Sequence, residues 1–139
     1  MAAKDIFHHV VRTALEKDGW VITDDPLHIR IGGVIDMYID LGAEKIIAAQ
    51  KDEQKIAVEI KSFIGASTIS EFHLAIGQFI NYRYALEEED PERILYLAVP
   101  QTVYNDFFKL SFIQSIIRRS QLKLLVYDVE QEEIVQWQA

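Results

Sequence analysis

The chain contains no cysteine, so neither a disulfide framework nor a thiolate metal site can hold it together. It has no apolar run of membrane-spanning length and no apolar signal segment behind Met1-Ala2-Ala3-Lys4-Asp5. A cytoplasmic protein with no membrane partner is expected. Internal repeats, linkers and low-complexity tracts are absent as well. The four histidines do not fall into a metal-ligand pattern. Basic residues are scarce: 14 Lys and Arg stand against 22 Asp and Glu, a net charge of −8. DNA affinity rests mainly on neutralising phosphates with cations, so an acidic chain holds little of it in reserve. What remains is ample for folding. At 139 residues, 50% of them hydrophobic, residues 1–139 read as one domain with a sizeable core.

Ile6, Val10, Val11, Ala14 and Leu15 recur at helical spacing, so Lys4 to Asp18 reads as an amphipathic helix ended by Gly19. Trp20 to Thr23 reads as a short strand and Asp24-Asp25-Pro26 as a turn. After Gly32-Gly33, Val34 to Leu41 is strand-like. Glu44 to Lys51 and Lys55 to Ser62 form a hairpin pattern across Asp52-Glu53-Gln54. Ile69 to Leu86 predicts a long helix capped by Ser67, Thr68 or Ser70, with Phe72, Leu74, Ala75, Ile76, Phe79, Ile80 and Tyr84 at its apolar positions. Glu87-Glu88-Glu89-Asp90 reads as a solvated loop. Arg93 to Val99 is nearly all apolar, as a buried central strand should be, and Pro100 stops it. Tyr104 to Arg119 reads as helix, with Phe107, Phe108 and Phe112 at core spacing. Leu122 to Tyr127 is a further buried strand, and Glu133 to Trp137 adds an edge strand. This order predicts an α/β fold, a central mixed β-sheet flanked by α-helices.

The run Lys55-Ile56-Ala57-Val58-Glu59-Ile60-Lys61-Ser62 carries the chemistry. Side chains alternate along a strand, so Glu59 and Lys61 share one face with Ala57, while Ile56, Val58 and Ile60 take the other. A carboxylate can hold a divalent cation, and a neighbouring amine can orient the attacking water and offset developing phosphate charge. Glu-x-Lys alone is weak, because exposed strands often carry such pairs. Two other parts accompany it. Met37 to Glu44 is strand-like and carries Asp40 and Glu44 at matching parity. Gln78 and Tyr82 stand four apart in the helical run and share a helix face.

An acid, then Glu-x-Lys, then a helix bearing Gln-x-x-x-Tyr is the order found in PD-(D/E)xK nucleases, including RecB-type nucleases. More narrowly, the chain resembles the XisH-type fdxN-element excision controlling factor family. The likeness runs through Ala3 to His8, Lys17 to Trp20, Tyr38 to Glu44, Ile56 to Phe63 and Arg93 to Pro100. It implies a restriction-endonuclease-like fold and a cyanobacterial link to the developmental excision of a DNA element. It does not establish cleavage, because the family is named for controlling excision and a recombinase exchanges the strands.

Within that resemblance, Asp40, Glu59, Lys61 and Gln78 are the expected catalytic residues. Asp40, Glu44 and Glu59 are the expected ligands of Mg²⁺ or Mn²⁺. The resemblance points to Asp40 as the first acid. A hairpin turn centred between Asp52 and Glu53 points instead to Glu44, which it sets opposite Lys61. Asp40 would then lie six residues along from Glu59, roughly 20 Å at strand rise, unless Gly42 marks a bend. Asp36 shares their parity at greater distance. His8, His9 and Glu16 on the first helix are weaker candidates, as are Arg118 and Arg119 for phosphate. Two functions stand: a metal-dependent DNA endonuclease, or a non-catalytic accessory protein that assists a recombinase or another excision controlling factor. DNA, bound weakly by the chain alone, and a homodimer are the remaining expected partners.

Overall fold

The computed structural model describes residues 3–31, 35–37 and 46–139. Helix α1 (Ala3–Lys17) buries Val10, Val11, Ala14 and Leu15. It ends where Gly19 turns to φ 92, a left-handed conformation that costs glycine little. Six strands form one sheet in the order β1 (Val21–Asp24), β4 (Ile46–Lys51), β5 (Gln54–Ile60), β6 (Arg93–Pro100), β7 (Leu124–Asp128) and β8 (Glu133–Gln138). The pairs β5/β6 and β6/β7 are parallel, and the other pairs are antiparallel. Parallel neighbours require crossovers. Helix α2 (Thr68–Glu89) makes the first. Helix α3 (Gln101–Val103), a π-helical turn (Tyr104–Phe108) and helix α4 (Ser111–Ser120) make the second.

The sheet separates two apolar layers. Phe72, Ala75 and Phe79 of α2 and Ile113 and Ile117 of α4 pack with Ala57, Leu97, Val99, Leu124 and Val126 on one side. Val10, Val11 and Leu15 of α1 pack with Trp20, Ile56, Val58, Ile60, Leu125 and Tyr127 on the other. This is the mixed sheet with helices on both sides that the element order predicts.

Local signals account for most boundaries. Asp52 takes φ 55 in the two-residue turn that joins β4 to β5, a conformation aspartate tolerates. The Ser67 hydroxyl accepts the Ser70 N–H at 3.3 Å and caps α2.

Three expectations need correction. Glu87, Glu88 and Glu89 form the last turn of α2 and not a loop. Glutamate is a good helix former, and the stop comes only where Asp90, preceding Pro91, leaves helical backbone. Leu74 and Tyr84 are exposed, because Phe72, Ala75, Phe79 and Tyr82 already fill the stripe of α2 that meets the sheet. The helix expected from Tyr104 to Arg119 is broken at Lys109 and Leu110. The restart at Ser111 shifts the phase, so Ile113 and Ile117 are buried and Phe112 is 71% exposed. The described part of the strand expected from Val34 to Leu41 is indeed strand, β3 (Ile35–Met37), and it pairs with β2 (Ile29–Ile31) in a separate two-stranded sheet.

Candidate functional site

Strand β5 presents the motif as its alternation requires. Ile56, Val58 and Ile60 enter the α1-side layer and Ala57 enters the α2-side layer. Glu59 has the parity of Ala57 and stands beside Leu97 of the same layer, so it points toward the α2 side. It is 1% exposed. An ionised carboxylate taken from water into an apolar layer costs several kcal/mol unless charge or hydrogen bonds compensate it. A buried glutamate on a central strand therefore requires such compensation.

Lys61 follows two residues later, half-buried. Its N–H donates to the Ala98 carbonyl at 3.1 Å, which carries the parallel ladder one residue past the end of β5. The backbone beyond it is anchored as well. Ser62 is buried, and Phe63 is buried at φ 57, with its ring 5.4 Å from Phe108 in an edge-on contact. Left-handed backbone is unfavourable for a bulky residue and persists only where the surroundings impose it. The Gly65 N–H then donates to both oxygens of Glu71, each at 3.2 Å. A side chain at Gly65 would meet the Glu71 carboxylate at 2.8 Å, so that bridge suits glycine. These contacts fix the exit of the motif strand into α2.

Gln78 lies three residues after Ala75 and four before Tyr82, both buried, and so belongs to the inward stripe of α2. Its Oε1 is buried and meets no hydrogen-bond partner among the described residues. Glu59, Lys61 and Gln78 thus come from the two consecutive elements β5 and α2, with Glu59 and Gln78 directed into the layer between the sheet and α2. Asp40 and Glu44, the remaining expected ligands, lie outside the described residues. The pairing of Ile46 with Glu59 through Lys51 with Gln54 is the register of a turn centred between Asp52 and Glu53. Asp36 belongs to β3, where its register partner is Arg30. Among the described residues, no three His, Asp or Glu side chains form a group able to hold a metal ion.

The weaker candidates sit elsewhere. His8 Nε2 lies 2.8 Å from Asp25 Oδ1, and Arg12 Nη1 donates to Asp25 Oδ2 at 2.5 Å, a tie between α1 and the end of β1. His9 approaches Glu132 at 3.7 Å, and Glu16 approaches Arg12 at 3.8 Å. Arg118 and Arg119 are exposed in the last turn of α4. Sequence reasoning missed the anchoring roles of Phe63 and Glu71. Glu71, three residues into α2, carried a signal as a first-turn acid. The left-handed backbone of a phenylalanine carries none.

A mixed sheet covered by helices on both sides, with an acid-x-lysine pair ending a central strand, defines an α/β fold of nuclease-like type. Among the described residues no helix is long and apolar enough to cross a membrane. The chain belongs to the XisH family, whose model, described as XisH protein, matches residues 1–135. It is similar to an XisH family protein from Nostoc punctiforme of known crystal structure. The two are 56% identical over 97% of this chain and 100% of that one, with a TM-score of 0.89. It is also similar to the crystal structure of an fdxN element excision controlling factor protein from Anabaena variabilis. That identity is 58% over 97% of this chain and 99% of that one, with a TM-score of 0.89. No curated protein matches the chain.

Proposed function

We propose that the chain is a controlling factor in the excision of a DNA element, acting through a divalent-metal site at Glu59 where phosphodiester bonds are hydrolysed. The observation that carries this reading is the placement of Glu59. A carboxylate only 1% exposed stands at the carboxyl end of a central strand, two residues before a lysine whose backbone the sheet holds. The first half of the reading draws on the relative from Anabaena variabilis, which is named for excision control.

The donors suit Mg²⁺ or Mn²⁺, which prefer oxygen ligands and keep several waters. Glu59 supplies a carboxylate, and Gln78 Oε1 is a buried acceptor available to a metal-bound water. Asp40 or Glu44 would complete the set. A bound ion of this kind lowers the pKa of a water and stabilises charge on a phosphate. Lys61 would orient that water and add positive charge where the phosphate becomes more negative. Gln78 would hold the water shell or a phosphate oxygen.

The test is cleavage of supercoiled and branched DNA with Mn²⁺, comparing the chain with Lys61→Ala. Nicking or cutting that Lys61→Ala lowers at least about a hundredfold, as expected for loss of a group acting in the transition state, supports the reading. Equal cleavage by both proteins contradicts it. A second reading is a non-catalytic accessory that keeps the fold and binds a recombinase or another controlling factor. The net charge of −8 favours it, because such a chain contacts a protein more readily than a phosphate backbone. Mn²⁺ binding without any cleavage would select this second reading.

A further inference from the structure

One helix of 15 residues, α1, covers one side of the sheet, whereas α2 and α4 cover the other. The α1 side is consequently left open near the β4–β5 turn, where a cavity of about 680 Å³ lies. Its floor is aromatic. The Trp137 ring stands 4.8 Å from Tyr96, edge-on, and 5.9 Å from Trp20, tilted. Ile94, 44% exposed, extends the apolar floor. Its rim is acidic: Asp18, Asp52, Glu53 and Glu92 outnumber Lys51 and Lys55. The chain already shows what such a lining accepts. Lys51 Nζ sits 5.9 Å over the Trp20 ring while donating to the Asp18 carbonyl at 2.6 Å.

Aromatic faces ringed by carboxylates attract cations, and a planar guanidinium gains most because it also stacks. We propose that this cavity docks an arginine-bearing, basic segment of a partner protein. Charge complementarity selects that occupant. Four carboxylates against two ammonium groups disfavour an anion, and the chain's net charge of −8 draws a basic segment toward it over a longer range. The cavity opens on the face opposite Glu59, at the other end of β5, so the inference stands whether or not the metal reading does.

The chain has two tryptophans, and both line this cavity, so its tryptophan emission reports on the site directly. The experiment titrates the full chain with a hexa-arginine peptide, beside hexa-lysine and hexa-glutamate. The expected result is a saturable emission change with hexa-arginine, a weaker one with hexa-lysine and none with hexa-glutamate. Glu53→Gln combined with Glu92→Gln should raise Kd about tenfold, the effect of losing two partly exposed ion pairs. Asp106→Asn combined with Glu130→Gln removes the same charge from exposed positions away from the cavity and should leave Kd within about twofold. No emission change, an equal response to hexa-lysine, or equal weakening by both double variants would overturn the proposal.

Discussion

At the scale of single residues, the site depends on positions whose backbone or burial is unfavourable on its own. Glu59 is a carboxylate inside an apolar layer, and Phe63 is a bulky residue at φ 57. Phe63 supports a prediction that reverses the usual order of substitutions. Phe63→Ala loses the ring contact and keeps the left-handed strain, and should destabilise by about 3 kcal/mol or more. Phe63→Gly loses the same contact but adopts φ 57 freely, and should be the more stable of the two by about 1 kcal/mol. Urea unfolding of both variants measures this. Phe63→Ala equal to or more stable than Phe63→Gly would show that the backbone there is unstrained in solution. At this scale the sequence was partly legible. The parity of Glu59 with Ala57 follows from strand alternation, and Ala57 entering one layer while Ile56, Val58 and Ile60 enter the other bears out that alternation. The anchors beyond Lys61 were illegible, because they depend on a ring reaching Phe108 and on a carboxylate reaching back to Gly65.

At the scale of elements, α2 both buttresses the motif strand and carries an electrostatic penalty. Its first turn is well made, with Ser67 as cap and Glu71 as a first-turn acid that accepts from the Gly65 N–H. Its last turn holds Glu87, Glu88 and Glu89 with no basic residue, against the negative end of the helix dipole. Glu88 is exposed, so Glu88→Lys should raise stability by about 0.3–1 kcal/mol, an effect that shrinks in high salt. Thermal unfolding at low and high ionic strength checks it, and a destabilised variant would contradict this account. Elements with strong periodicity or clear punctuation were readable: α1 with Gly19, the β4–β5 hairpin across Asp52, and β6 ending at Pro100. The break after the π-helical turn was not readable, because hydrophobic spacing runs on through Phe107, Phe108 and Phe112 while the backbone changes phase beneath it. The pairing of β2 with β3 was not foreseen, because a strand pattern does not name its partner.

At the scale of the whole molecule, a nuclease-like α/β fold carries a net charge of −8 and belongs to a family associated with excision control. Its DNA binding should therefore be weak for the isolated chain. It should fade between roughly 50 and 200 mM salt, because each phosphate contact depends on counterion release. Titration of labelled duplex and branched DNA across that range checks this, and nanomolar, sequence-specific binding at physiological salt would contradict it. The central proposal is narrower: Glu59, buried at the end of β5, would hold a divalent ion. Calorimetric titration of the chain with Mn²⁺, beside Glu59→Gln shown to be folded by its far-UV spectrum, tests that claim most directly. The account predicts saturable binding by the chain and at least about a tenfold loss of affinity in Glu59→Gln, the effect expected when a charged ligand becomes neutral. Equal Mn²⁺ affinity in the two proteins, or no binding by either, would contradict it.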